Sequence, residues 1–131
     1  MPSLRAIKGA PGPLLDRFET ELPLGTLALS TVVLFELHYG VANSARRKEN
    51  EARLAVFLQA PFTIWPFEPE DAEEAGHLRA ALKRVGTPIG PYDLLIAAQA
   101  RRRGAVLVTA NVAEFARVPD LTVEDWSRSD A

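Results

Sequence analysis

Three carboxylates, Glu36, Asp93 and Glu114, stand in this sequence where their chemistry is out of keeping with their surroundings. Glu36 interrupts the apolar run from Val32 to Leu37, and an ionised carboxylate among apolar neighbours needs a partner or a metal. Asp93 opens the stretch Gly90-Pro91-Tyr92-Asp93-Leu94-Leu95-Ile96-Ala97-Ala98-Gln99-Ala100, in which Gly-Pro breaks the preceding structure and good helix formers follow. Ala97 and Ala100 share its helical face and leave room beside the carboxylate for a metal or a substrate. Glu114 lies in Asn111-Val112-Ala113-Glu114-Phe115, and Thr109 and Asn111 just before it add neutral oxygens. Acids gathered at one edge make a poor core but a good site for a hard, oxygen-loving cation. Without a metal they repel one another, so at least one should titrate above its ordinary value. Each acid also has a plainer reading. Asp93 can cap its helix while the alanines allow close packing, Glu36 can face solvent, and Glu114 can be a capping feature.

The elements that must position these acids alternate between strand and helix. Pro13 opens a helix carrying Leu14, Leu15, Phe18 and Leu22, ended by Pro23 and Gly25. Residues from Thr26 to about Ser30 alternate as a short strand, and a helix carrying Glu36 starts near Thr31, a residue able to cap it. A second helix runs from Arg46 to Leu58, and Phe62 to Phe67 is a strand by content. A long helix begins at Glu68, with acids at its start, Arg79, Lys83 and Arg84 towards its end, and Gly86 as its stop. The helix of Asp93 then spans Tyr92 to about Arg103. Ala105 to Thr109 reads as a strand buried on both faces, Asn111 to Phe115 as a turn or short helix, and Leu121 to Trp126 as an edge strand. The alternation predicts an α/β fold with a mostly parallel sheet, whose ligand sites lie beyond the carboxyl ends of the strands.

Composition narrows the function. A chain of 131 residues makes one domain, and with 47% hydrophobic and 24% charged residues it has an ordinary globular balance. The net charge of −2 gives no global attraction to nucleic acid, so any such binding comes from local patches. The absence of cysteine excludes Cys nucleophiles, Cys-based zinc sites and disulfide scaffolds. His38 and His77 lack a metal-binding spacing, and the basic runs Arg46-Arg47-Lys48 and Arg101-Arg102-Arg103 read as solvated faces. No apolar run reaches the ~18 residues of a membrane span, and residues 1–8 lack the core of a signal peptide, so a cytoplasmic protein is expected.

Val33 to Gly40, Pro91 to Ala100 and Val106 to Phe115, in this order and spacing, resemble the PIN domain, most closely the VapC-type toxins of bacterial toxin–antitoxin pairs. The resemblance runs from about Leu4 to Trp126 and implies a PIN-like α/β domain over residues 1–131. It further implies a metal-dependent endoribonuclease whose acids hold Mg²⁺ or Mn²⁺, cleaving RNA as the toxin of a VapBC-type pair. On this likeness Glu36, Asp93 and Glu114 match three of the family's four acidic positions, and Thr109 and Asn111 would position substrate or water. A homodimer held in check by a small antitoxin protein is the expected assembly.

The fourth acid has no match. The family opens on an apolar strand ending in Asp, and only then comes the stretch that resembles Leu4 to Gly9. Here no aspartate precedes Asp16, which falls too late, inside the next helix. The resemblance therefore implies that the first, central strand is missing, which would leave its neighbours without their ladder and the chain unstable or inactive. The competing reading is a catalytically inactive remnant that still dimerises or binds antitoxin.

Overall fold

The computed structural model describes residues 5–8, 27–60 and 62–125. The predicted helix after Pro13, with Asp16, and the end of the last strand at Trp126 lie outside the described residues. Among the described residues, five strands form one sheet: β1 (Arg5–Ile7), β2 (Leu27–Ser30), β3 (Thr63–Trp65), β4 (Val106–Val108) and β5 (Val123–Glu124). Their order across the sheet is β3-β2-β1-β4-β5, and every neighbouring pair is parallel. The helices among these residues are α1 (Thr31–Ala42), α2 (Arg47–Leu58), α3 (Pro69–Arg84), α4 (Pro91–Arg102) and the short α5 (Val112–Phe115).

The expectation of a missing central strand is overturned. Arg5 to Ile7 occupy that place, with Arg5 and Ala6 in register with Leu27 and Ala28 on one side, and Arg5 to Ile7 with Val106 to Val108 on the other. A central strand needs backbone to complete two ladders and apolar side chains to bury. Ala6 and Ile7 supply the latter, at 5% and 1% exposure. The Lys8 N–H continues the ladder to the Val108 carbonyl at 2.8 Å. The inner strands are thus paired on both sides, and the instability expected from an open ladder has no structural basis. No acid follows β1; Lys8 does.

Most predicted boundaries hold to within a residue or two. Ser30, not Thr31, caps α1, its hydroxyl accepting from the Val32 N–H at 3.1 Å. Thr31 instead uses its hydroxyl to accept from the Phe67 N–H. Gly86 and Gly104 follow α3 and α4 with φ of 75° and 63°, a left-handed turn that costs glycine no Cβ clash.

The run Arg101-Arg102-Arg103 is no solvated face. It ties α4 back to α3 through Arg101 with Glu74, Arg102 with Asp71 and Arg103 with Glu68. The Arg103 guanidinium also lies 4.7 Å from the centre of the Trp65 ring. At the middle of this clamp Asp71 is fully buried, accepting from the Glu68 N–H at 2.8 Å, from Gln99 Nε2 at 3.0 Å and from Arg102 Nε. Burial alone would raise its pKa, but the Glu68 N–H, Arg102 and Gln99 together outweigh it and hold the carboxyl below its ordinary value.

A carboxyl depressed in the folded state stabilises the fold above its unfolded pKa of about 4, and that contribution drains away as pH falls through the folded value beneath it. Asp71→Asn should therefore lower stability at pH 7 by about 2–3 kcal/mol, the worth of hydrogen bonds to a charged group. It should lose less than the parent between pH 5 and pH 2. Urea unfolding across that range reads both effects, and an unchanged acid profile would remove Asp71 from the account.

Candidate metal and phosphate-chemistry site

The chain builds β1, β2 and β3 on one side of the sheet before crossing to β4 and β5 on the other. The strand order reverses between β1 and β4, and a crevice opens at such a switch beyond the strands' carboxyl ends. The acids converge there. Glu36 arrives on the second turn of α1, which starts directly from the end of β2. Asp93 sits in the first turn of α4, and Glu114 in α5, which follows β4 after the turn at 109–111.

Lys8, leaving β1, reaches between two of them. Its Nζ lies 3.3 Å from Asp93 Oδ1 and 3.6 Å from Glu36 Oε1. The N-cap of α4 is Gly90, which has no side chain to cap the helix, and the Asp93 carboxylate in the first turn faces Lys8 and Glu114. The pinch point between Asp93 and Glu114 is Gly90. A methyl placed on it would meet Glu114 Oε1 at 3.5 Å and Asp93 Oδ2 at 3.7 Å, ordinary contact distances that put both carboxylates over one backbone position. Glu114 Oε1 accepts from the Gly90 N–H at 2.8 Å and its Oε2 from Asn111 Nδ2 at 2.7 Å. Thr109 is buried, and its hydroxyl accepts from the Asn111 N–H at 3.1 Å, shaping the turn that carries Asn111.

The two facing acids divide the charge unequally. Burial raises the pKa of Asp93; Lys8 opposes the rise and the neighbouring Glu114 carboxylate adds to it, leaving Asp93 above its ordinary value. Glu114 moves the other way, held low by the Gly90 N–H first, then by Asp93, Asn111 and Arg117 against the effect of burial. The pair's interaction thus raises the pKa of Asp93 while hydrogen bonds hold that of Glu114 down.

Ala97 and Ala100 do not leave room at the site. Both are buried in the core, where they let α4 pack closely. His38 and His77 are exposed. Sequence reasoning missed Lys8 and Gly90. A charged residue directly after the apolar pair Ala6-Ile7 was the available signal for Lys8, since it marks the end of a buried strand.

Asp93 and Glu36 are hard oxygen donors of the kind Mg²⁺ takes, one or two carboxylates completed by water. The donor chemistry fits a divalent cation. As arranged, however, no group of three His, Cys, Asp or Glu side chains among the described residues is set to hold a metal, and an ammonium stands between the two acids.

A parallel sheet that gathers carboxylates at its switch point defines an α/β domain with an acidic site at its strand-end edge. Comparison with known proteins narrows this. The PIN domain family model matches residues 4–121. The tRNA(fMet)-specific endonuclease VapC of Salmonella typhimurium is 38% identical over 120 residues, covering 92% of this chain and 89% of that protein. Ribonuclease VapC2 of Rickettsia felis is 37% identical over 94% of this chain and 91% of its own length. The crystal structure of VapBC2 from Rickettsia felis bound to a promoter DNA fragment superposes with a TM-score of 0.84 at 34% identity, covering 94% of this chain and 99% of that one. The chain belongs to the PIN-domain family, in its VapC group.

Carboxylate NMR of the metal-free protein tests the charge division. Glu114→Gln should move the Asp93 pKa down by removing the repelling neighbour, and Lys8→Met should move it up by removing the attracting one. Shifts of the same sign would contradict the geometry.

Proposed function

We propose that the chain is a metal-dependent endoribonuclease, the toxin of a VapBC-type toxin–antitoxin pair, acting in the cytoplasm as a single PIN-like domain. The observation that carries this reading is the convergence of Glu36, Asp93 and Glu114 at the carboxyl edge of the sheet. It is supported by relatives named as ribonucleases and by structural neighbours that are VapBC complexes.

Asp93 and Glu36 are the residues that would hold Mg²⁺ or Mn²⁺, with Glu114 assisting. A bound cation supplies a water of lowered pKa and stabilises charge developing on the phosphate. The chain's own groups set up the rest. Glu114, its pKa held low by the Gly90 N–H, has lone pairs left to orient a water and accept its proton as the water oxygen bonds to phosphorus. The P–O bond to the leaving ribose oxygen breaks, and that oxygen takes a proton from solvent. Asn111 is exposed and tethered by Glu114, so it is placed to orient that water or the RNA. Thr109 acts through Asn111 as a positioning residue.

The partner we assign is a small antitoxin protein. For self-association we assign the exposed rings beside Glu36: Phe35 and Tyr92 with centroids 5.3 Å apart, and Tyr39 at 62% exposure, around a cleft of about 470 Å³. Exposed aromatic clusters of this kind mark protein contact surfaces. The substitution pair Phe35→Ser and Tyr92→Ser should shift the protein from dimer to monomer in light scattering. A parent that is already monomeric would refute that assignment.

The purified chain should cut RNA in millimolar Mn²⁺, with initiator tRNA, the substrate in the Salmonella relative's name, among the probes. Chelation should stop cleavage, and Asp93→Asn should slow it by at least about 100-fold, the loss of a few kcal/mol of charge stabilisation. RNA left intact by the parent chain in Mn²⁺ and Mg²⁺ would favour the inactive remnant.

A further inference from the structure

We propose that Lys8 is a built-in counter-cation: its ammonium occupies the cation position between Glu36 and Asp93, and a divalent ion enters only by displacing it. The inference rests on the nuclease reading for its biological meaning, but its physical content does not require RNA.

Lys8 is fixed at one end. Its backbone N–H is bonded to the Val108 carbonyl at 2.8 Å, which sets its Cα at the carboxyl edge of the central strand. Its Nζ then lies within 4 Å of one oxygen from each acid, and the side chain is only 22% exposed, against 17% for Asp93 and 30% for Glu36. An ammonium is a compact point charge with three donors on a flexible stem. It can therefore bridge two carboxylates as a hard cation does, yet swing out to solvent when a stronger competitor arrives. In the metal-free protein the single ammonium offsets one of the two negative charges. The consequence is a threshold. A divalent ion binding here must first break two ion pairs, so the parent chain holds it more weakly than a chain lacking the ammonium, by about tenfold or more for a charge at this distance in partly screened surroundings.

Mn²⁺ calorimetry and thermal unfolding of the full chain and Lys8→Met test this. Lys8→Met should melt about 3 °C or more below the parent without metal, as expected for the loss of a pair of this kind in a domain of this size. It should bind Mn²⁺ about tenfold more tightly, and Mn²⁺ should restore its melting temperature. Glu36→Gln should weaken Mn²⁺ binding in both backgrounds. Reductive methylation of the unmutated chain, read residue by residue by mass spectrometry, adds a measurement that needs no variant. Lys8 should react more slowly than the exposed Lys48, and Mn²⁺ should accelerate Lys8 alone.

Equal Mn²⁺ affinities, or methylation of Lys8 indifferent to Mn²⁺, would overturn the proposal even if the chain cleaves RNA. Failure of both proteins to bind Mn²⁺ would overturn it as well. If instead Mn²⁺ binding and methylation behave as stated and no RNA is cut, the counter-cation stands and the nuclease reading falls.

Discussion

The structure depends on how one edge of the sheet tolerates three carboxylates at once. Acids brought this close raise one another's free energy, and a hydrophobic interior behind them offers no screening. Two local devices answer this. The Lys8 ammonium lies between Glu36 and Asp93, and the Gly90 N–H and Asn111 amide hold Glu114. The residual repulsion between Asp93 and Glu114 shows in the raised pKa of Asp93. The site can thus exist before any metal arrives, which places its control in the protein rather than in the ion.

Those devices work only if α4 enters at a fixed angle, and the far end of that helix sets the angle. Asp71 and Gln99 are buried together, and Arg101, Arg102 and Arg103 reach two acids of α3 and its capping residue Glu68. Burying a charge is costly unless every partner is present, so the α3–α4 arrangement is specified more sharply than apolar packing alone would specify it. Gln99 also donates to the Pro66 carbonyl, tying the helix to the end of β3. With its last turn clamped and its alanine face against the core, α4 has little freedom to move Asp93 away from Lys8.

Much of this was legible in the sequence because local chemistry and tertiary demand agreed. Gly90-Pro91 starts α4 and Gly104 ends it; the apolar run Ala105 to Val108 becomes a buried inner strand. The alternation of strand and helix was enough to put Glu36, Asp93 and Glu114 on the strand-end side of a parallel sheet. Legibility failed where a residue's role is set by a partner distant in sequence. Arg101 to Arg103 look solvated until α3 is laid beside them, and Ala97 and Ala100 look like space for a ligand until the core is seen to fill it. The largest misreading was β1. Three residues, only two of them apolar, give too short a signal for a strand by pattern, and only the open ladder between β2 and β4 explains why they form one. Once Arg5 to Ile7 are in the sheet, Lys8 necessarily emerges among the acids.

The account's central claim is that these carboxylates surround one cation position, held by Lys8 and able to take a divalent ion. The most direct measurement is the anomalous scattering of Mn²⁺ in crystals of the Lys8→Met protein. The account predicts a single strong peak at coordination distance from both Glu36 and Asp93, weaker or absent in parent crystals soaked at the same concentration. A peak of equal height in the two proteins, or no peak between those side chains in either, would contradict it.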